Sequence, residues 1–197
     1  SHTLGRLLMD IERLAAAQKI APTSYVLFSD DGSGDRTWSL IEEAARAHPG
    51  RVQGLKLSRN VGHQNALLAG LITQVGKADA TISLDADLQD DIGVIAKMIE
   101  HFTHNQTEIV FAVRKERASD SFFKRGTAGL YYRILKWLGA EVIPHHADFR
   151  LMSDRAMRAL SQFGEVHVFL RGLVMQLGFR TATVEFDRLP RLHGETK

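Results

Sequence analysis

Short apolar runs and amphipathic segments alternate along the first part of the chain. Apolar runs at residues 25–28, 52–57, 80–84 and 109–113 have the length of buried strands. Between these runs, and before the first, apolar residues recur every three to four positions, as on one face of a helix. This alternation predicts βαβ units and therefore an α/β fold, in which a mainly parallel sheet carries helices on both faces.

The pattern changes after Arg114. It predicts a long helix at about 122–138, a strand near 149–152, two more helices and a strand near 181–186. No repeat, low-complexity tract or linker divides the chain, so we expect one domain over residues 1–197. In parallel sheets ligands bind at the carboxyl ends of the strands, which is where the polar loops after the apolar runs should converge.

The amino-acid composition excludes several kinds of catalysis and metal site. The 197 residues are 44% hydrophobic and include no cysteine, which excludes disulfides, thiolate catalysis and cysteine-bound zinc. A metal would therefore need oxygen or imidazole ligands. A net charge of +2 is too small to identify an anionic partner, and we expect no nucleic acid.

The run Asp85-Ala86-Asp87-Leu88-Gln89 directly follows the apolar run at 80–84. Alternate residues of an extended segment point to one side, so both carboxylates and the Gln89 amide would share a side. Hard oxygen ligands of this kind suit Mg²⁺ or Mn²⁺ bridging a diphosphate. The alternative is a solvated acidic loop, because this short motif is common by chance. We interpret Asp90 and Asp91 as a helix cap and a first-turn charge.

Two other polar loops follow strands. Asp30-Asp31-Gly32-Ser33 could accept hydrogen bonds from ribose hydroxyls or a base N–H, or it could be an ordinary turn. The segment 58–65 opens a helix, and its amides together with Arg59 could attract phosphates. The alternative there is a capped helix start with a surface arginine.

Basic residues cluster at 114–125 and could bind a phosphate or form a solvated face. The predicted helix at 122–138 has a wide apolar surface edged by basic residues. That surface suits a membrane, and it equally suits a core helix with snorkelling cations. Asp148 and Arg150 share a side of a short predicted strand and could form an ion pair near the site.

Six motifs occur in a characteristic order. They are Ser-Asp-Asp-Gly-Ser at 29–33, Ser-Arg-Asn-Val-Gly-His-Gln at 58–64, Asp-Ala-Asp-Leu-Gln at 85–89, Ala-Asp-Phe-Arg-Leu-Met at 147–152, Phe-Leu-Arg-Gly at 169–172 and Arg-Leu-His-Gly-Glu-Thr-Lys at 191–197. Together they resemble the family 2 glycosyltransferases of the dolichol-phosphate mannosyltransferase and undecaprenyl-phosphate glycosyltransferase type. The resemblance covers nearly the whole chain.

The resemblance implies a GT-A (Rossmann-like) fold, a UDP- or GDP-sugar donor, Mg²⁺ or Mn²⁺, and a polyprenyl phosphate acceptor. The nucleotide-binding residues implied are Asp30, Asp31, Arg59, Asn60 and Asp85. The metal ligands implied are Asp85, Asp87 and Gln89. The catalytic residues implied are Asp87, Asp148 and Arg150. The residues implied for the acceptor phosphate are Arg114, Lys124 and Arg125.

The function implied is inverting transfer of a hexose to undecaprenyl or dolichyl phosphate in cell-envelope glycan synthesis. No dedicated general base is evident in the sequence, and a lipid phosphate needs none because it is already anionic. Two alternatives stay open: transfer to a saccharide hydroxyl, and a nucleotide-sugar-binding protein without turnover. A Mg²⁺ phosphohydrolase is disfavoured, since its acidic motif would follow the first strand.

Proteins of this type open with a strand and a nucleotide-binding loop, whereas this chain begins in the following helix. The longer ones continue into membrane helices, and no apolar run here approaches the roughly 20 residues of a membrane span. We therefore expect a fragment whose first strand is missing. We place the protein at the cytoplasmic face of a membrane, peripheral or anchored by helices outside this sequence, with homo-oligomer formation open.

Overall fold

The computed structural model describes residues 2–87, 89–114, 146–164 and 169–187. Its helices are α1 (His2–Ala16), α2 (Thr37–Ala47), α3 (His63–Thr73), α4 (Ile95–His104, after a 3-10 turn at Ile92–Val94), α5 (Asp154–Leu160) and α6 (Leu170–Gln176). Its strands are β1 (Val26–Asp30), β2 (Val52–Lys56), β3 (Ala80–Ser83), β4 (Ile109–Arg114), β5 (His146–Ser153) and β6 (Thr181–Phe186). The predicted alternation of strands and helices is confirmed.

Parts of the sequence prediction lie outside the described residues: the helix at 122–138, Lys124, Arg125 and the motif at 191–197. The single domain over 1–197 stays a prediction. Within the described ranges, no helix combines the length and apolar character needed to cross a bilayer.

The strands form two sheets. β1 and β2 pair in parallel, and a four-stranded sheet has the order β3-β5-β4-β6. β4 and β6 are parallel, while β5 runs antiparallel to both β3 and β4. The predicted α/β class is confirmed. The strand predicted near 149–152 is β5, whose antiparallel direction periodicity did not reveal. β4 ends and β5 begins at the same edge, so β5 had to reverse direction.

Helices cover both faces of the larger sheet, as predicted. On β4, Val110 and Ala112 pack with side chains of α1 and α4, whereas Ile109 and Phe111 pack with α3, α5 and α6. This is the two-residue alternation of a strand buried on both sides. The larger of these side chains, Ile109, Val110 and Phe111, each contribute about 1.5–3 kcal/mol by burial, which holds the strand ends in place.

The polar motifs meet at one edge of the molecule, which we call the site edge. It comprises the carboxyl ends of β1 to β4 and, because β5 is reversed, the amino end of β5. The β3–β5 register pairs Ser83 with Arg150, and continuing it by two residues brings Asp85 opposite Asp148. Ser83 Oγ also donates a 2.6 Å hydrogen bond to the Asp148 carbonyl. Residues 63 positions apart in sequence are thereby brought together.

Candidate active site

Asp148 is the centre of a buried hydrogen-bond network at the site edge. Its carboxylate is 3% exposed and accepts a 2.5 Å hydrogen bond from Arg150 Nη2. Arg171 donates from Nε to one oxygen at 3.1 Å and from Nη2 to the other at 3.0 Å. His63 Nε2 lies 3.0 Å from Oδ2, and Gln64 Nε2 donates to the same oxygen at 3.3 Å. The predicted Asp148–Arg150 ion pair is confirmed, and the cluster around it is larger than expected.

These contacts determine which groups are charged. Burial raises the pKa of Asp148, but hydrogen bonds from Arg171 and His63 and the charge of Arg150 outweigh burial and lower it to about 2. Burial lowers the pKa of Arg150 to about 10, although Asp148 opposes the change. The hydrogen bonds to Asp148 raise the pKa of Arg171. Asp148 is therefore a permanently ionised anchor at neutral pH.

Asp85 is in the opposite electrostatic situation. Its side chain is 35% exposed, and His63 Nε2 lies 3.8 Å from its Oδ1. Burial raises the pKa of Asp85, and the charges of Asp148 and Asp87 raise it further, while His63 and Arg114 lower it. The negative charge at Asp85 is thus incompletely compensated, which is the condition under which a cation binds favourably.

The acidic motif is not extended, contrary to the expectation from alternation. Residues 86–87 form a turn, and Asp87 Oδ1 accepts a 3.0 Å hydrogen bond from the Gln89 amide. A short acidic side chain bonding the backbone two residues on is a common way to close a turn. Asp85 and Asp87 remain partly accessible, whereas Gln89 is 4% exposed. The metal role of all three residues stays a prediction.

Asp90 has a different role from the one inferred. Its side chain is 1% exposed and lies 3.3 Å from Arg114 Nη2, so it is a buried ion-pair partner and not a helix-capping charge. Burial raises the pKa of Asp90, while Arg114 lowers it. Asp91 does cap the following turn, since it accepts a 2.8 Å hydrogen bond from the Gly93 amide. Arg114, a candidate for the acceptor phosphate, is therefore oriented by Asp90.

The two loops predicted to bind nucleotide are tied to each other. Asp31 accepts hydrogen bonds from the amides of Val61 at 2.7 Å and Gly62 at 3.0 Å. Gly32 has φ +68°, and a Cβ there would lie 2.6 Å from the carbonyl carbon of Arg59. Only glycine allows this approach of the two backbones.

Asp30 is buried and accepts hydrogen bonds from Ser33, including its amide at 3.3 Å. Arg59 and Asn60 are exposed at the same loop. All four predicted nucleotide-binding residues of these loops lie at the site edge. Asp31 nonetheless serves a structural purpose that the sequence interpretation did not include, and the roles of all four toward a nucleotide stay predictions.

Buried polar atoms without a hydrogen-bond partner are concentrated at the site. Among the described residues these atoms are Gln64 Oε1, Asp90 Oδ2, Arg114 Nε, Arg150 Nε and Arg150 Nη1. All four residues belong to the networks around Asp148, Asp85 and Asp90. An unbonded buried polar atom is destabilising by about 1–3 kcal/mol, so such a concentration requires an explanation, and ligand binding provides one.

The residues present can accept a cation with help from a substrate. In the described part of the chain, no group of three or more His, Asp or Glu side chains could hold a metal ion alone. Asp85 and Asp87 offer hard oxygen donors, and the charge of Asp85 is incompletely compensated, which suits Mg²⁺ or Mn²⁺ when further oxygen ligands come from a diphosphate. The donor set fits the expected ion.

Sequence reasoning assigned no role to His63 or Gln64, took Asp90 for a capping charge, and did not pair Arg171 with Asp148. All four lie in or next to the motifs that carry the family resemblance. The available signal was their membership of those motifs. Their chemical partners are 23 to 85 positions away in sequence, at distances that periodicity cannot reveal.

Comparisons with known proteins identify the family of the chain. The glycosyl transferase family 2 model matches residues 11–161. The chain is 47% identical over its whole length to the uncharacterized glycosyltransferase YkoT of Bacillus subtilis, of which it covers 57%. It is 36% identical over 173 residues to the prophage bactoprenol glucosyl transferase homolog of Escherichia coli, covering 87% of this chain and 55% of that protein. The chain thus spans little more than half the length of these relatives.

Two solved structures share the fold. The mannosyltransferase PcManGT from Pyrobaculum calidifontis, in complex with GDP-Man and Mn²⁺, matches with a TM-score of 0.58 and 19% identity, covering 88% of this chain and 50% of that one. TarS 1-349 from S. aureus matches with a TM-score of 0.55 and 13% identity, covering 87% and 52%. These likenesses confirm the expected GT-A fold. Given the family match over most of its length, the chain belongs to glycosyl transferase family 2.

Proposed function

We propose that the chain is the catalytic part of an inverting glycosyltransferase that moves a hexose from a UDP- or GDP-sugar to a polyprenyl phosphate. The membrane that contains this lipid would receive the sugar at its cytoplasmic face. The observation that carries the proposal is the state of Asp148, whose two oxygens are hydrogen-bonded and whose pKa is about 2.

The low pKa of Asp148 argues against a hydroxyl acceptor. A general base works best when its pKa is near the operating pH, because it must take up a proton from the attacking hydroxyl. Asp148, the carboxylate opposite Asp85, is far too acidic for this task. Asp85 itself has a raised pKa, but a bound cation would keep it ionised and engaged.

A phosphate acceptor removes the need for a base. One of its anionic oxygens forms a bond to the anomeric carbon while the bond from that carbon to the nucleoside diphosphate breaks. Attack from the face opposite the leaving group inverts the anomeric centre, and no proton has to move. Catalysis then depends on alignment and on charge stabilisation at the diphosphate.

In our proposal, separate sets of residues contact the nucleotide, the cation, the sugar and the acceptor phosphate. Asp30, Asp31, Arg59 and Asn60 would contact the nucleotide at the two joined loops. Asp85 and Asp87, beside Gln89, would hold a Mg²⁺ or Mn²⁺ ion, which supplies Lewis-acid stabilisation of the diphosphate when bound. Asp148 and Arg150 would border the sugar, and Arg114 with Lys124 and Arg125 would bind the acceptor phosphate.

The relatives support the donor and acceptor classes. One relative at 36% identity is named a prophage bactoprenol glucosyl transferase homolog, which favours a polyprenyl phosphate acceptor. A structure with the same fold holds GDP-Man and Mn²⁺, which favours a nucleotide-sugar donor and a divalent cation.

The test uses the full-length protein with radiolabelled UDP- and GDP-sugars, undecaprenyl phosphate and Mn²⁺. We expect a lipid-linked sugar, and we expect Asp87→Asn to reduce its formation by on the order of 100-fold or more, because charge stabilisation of the diphosphate is lost. Asp79→Asn, at an exposed position on the opposite edge, is the matched control and should keep full activity. Transfer to a saccharide hydroxyl, or nucleotide binding without any turnover, would contradict the proposal in favour of its two alternatives.

A further inference from the structure

His63 lies close to both acidic centres of the site, Asp85 and Asp148. Its Nε2 lies 3.0 Å from Asp148 Oδ2 and 3.8 Å from Asp85 Oδ1. The shorter distance is that of a hydrogen bond, and the longer one is an electrostatic contact. One ring nitrogen thus faces two carboxylates, one in the loop after β3 and one on β5.

The two carboxylates would otherwise repel each other. Asp148 is compensated without His63, because the cations Arg150 and Arg171 donate to it and the neutral amide of Gln64 adds a further hydrogen bond. The contact that His63 makes with Asp148 is therefore replaceable. Arg150 and Arg171 act on Asp85 through their charge, whereas His63 Nε2 lies within 4 Å of an oxygen of each carboxylate, so loss of His63 removes a direct contact between the two centres.

The backbone around His63 is anchored independently of its ring. His63 is the first residue of α3, after Gly62 with φ +89°. Asp31 holds the two preceding amides, as described above. The imidazole itself is 58% exposed, so burial does not hold the ring in place. Its polar contacts with the two carboxylates are what orient it.

We propose that His63 is a positioning residue that links Asp85 to the Asp148–Arg150–Arg171 cluster and so sets the separation between the donor-diphosphate side and the sugar side of the site. This inference rests on the proposed function for its kinetic consequence only. His63 forms no bond to the reacting atoms, and its effect acts through the placement of the two carboxylates.

Kinetics of the full-length protein test this role. We expect His63→Ala to lower kcat by about 10- to 100-fold, because a small misplacement of catalytic groups has effects of this size. KM for the nucleotide sugar should change by less than about threefold, since uniform binding is not removed. His48→Ala, at an exposed histidine on the opposite edge, is the matched control and should leave both constants unchanged.

Two conservative variants separate the effect of the donor at the Nε2 position from the effect of side-chain volume. His63→Gln can place an amide donor where Nε2 lies, whereas the shorter His63→Asn reaches only the position of Nδ1. We expect glutamine to restore kcat to within about threefold of the parent protein and asparagine to fail. Equal loss in both variants, or a rise in KM with kcat unchanged, would overturn the proposal.

A spectroscopic measurement is independent of the acceptor. In protein labelled with ¹³C at the aspartate carboxyl carbons, His63→Ala should shift the resonances of both Asp85 and Asp148, which are assigned from their loss in the Asp85→Asn and Asp148→Asn variants. His48→Ala should shift neither. If only the Asp148 resonance moves, or neither does, the link to Asp85 is refuted. If both move but no lipid-linked sugar forms in the parent protein, the proposed function fails while the positioning role of His63 stands.

Discussion

Each edge of the larger sheet carries a carboxylate–arginine ion pair, which is buried at the site edge and largely exposed at the other edge. At the edge away from the site, Glu108 accepts hydrogen bonds from Ser153 and from Arg155 at 3.3 Å. Arg155 is 75% exposed and lies 5.2 Å from the centre of the Phe179 ring. At the site edge, Asp148 and Arg150 are 3% and 0% exposed.

The difference separates ion pairs that solvent screens from ion pairs that are buried. Exposed ion pairs contribute about 0–1 kcal/mol, and at the opposite edge each carboxylate oxygen of Glu108 has a hydrogen-bond partner. At the site edge, buried charges carry a desolvation penalty, and the unbonded buried polar atoms of the described residues all lie there. A fold stabilised by its apolar layers can tolerate this penalty where binding requires it.

The largest difference between the two edges should be in the free energy of unfolding that is lost when one arginine at each edge is replaced. We expect Arg150→Met to lower the free energy of unfolding by about 3 kcal/mol, because it leaves the buried Asp148 with fewer partners. This value is at the low end for a broken buried pair, since Arg171 and His63 still bond to Asp148. Arg155→Met should lower it by less than about 1 kcal/mol. Urea unfolding measures both, and equal losses would remove the distinction between the edges.

Low pH should destabilise the folded protein through protonation of Asp148 at the site edge. The pKa of Asp148 in the folded protein is about 2, below its ordinary value of 3.8, so its ionised form stabilises the fold above pH 4. That contribution is lost as the pH falls from 4 toward 2. The stability difference between the parent protein and Asp148→Asn should therefore shrink by on the order of 2 kcal/mol between pH 5 and pH 2.

Asp154 provides the comparison at the opposite edge. The pKa of Asp154 is also lowered, through hydrogen bonds from the Gly76 amide and Arg158. Solvent screens this pair, so Asp154→Asn should show a smaller change over the same pH range. A larger acid effect for Asp154 than for Asp148, measured by urea unfolding at each pH, would contradict the assignment of buried charge to the site edge.

The smallest predicted effect on stability is at Asp85. It is a gain in stability, whereas the other variants lose stability. Burial raises the pKa of Asp85 above its ordinary value, so its charge destabilises the folded protein at neutral pH. The penalty disappears as the pH falls through the raised pKa. Asp85→Asn should raise Tm by about 1–2 °C at pH 7 and have no such effect in acid, while sugar transfer is lost. A lower Tm at pH 7 in a thermal unfolding scan would show that the Asp85 charge is already compensated.

Much of the fold could be predicted because its signals are local. Strands β1 to β4 and β6 follow from apolar runs, and α1 to α4 follow from recurring apolar positions between them. The convergence of three polar loops follows from the general geometry of parallel strands. The family resemblance named Asp85, Asp87, Asp148 and Arg150 from motif order alone. Each of these predictions needs only neighbouring residues or the order of motifs.

The wrong expectations depended on contacts distant in sequence or on a competing local bond. Alternation in 85–89 failed because the Asp87 side chain bonds the Gln89 amide and closes a turn. Asp90 was taken for a capping charge because its partner, Arg114, is 24 residues away. The antiparallel direction of β5 depends on the edge at which the chain re-enters the sheet.

The amino-acid sequence by itself determined the residue types at the site, the order of strands and helices and the family to which the chain belongs. Tertiary structure alone decided that Asp148 is permanently ionised, that Asp85 is not fully compensated, and that His63 lies against both. The physical reason is that pKa and hydrogen bonding depend on burial and on distances in space, and the reversed β5 strand sets those distances between residues far apart in sequence.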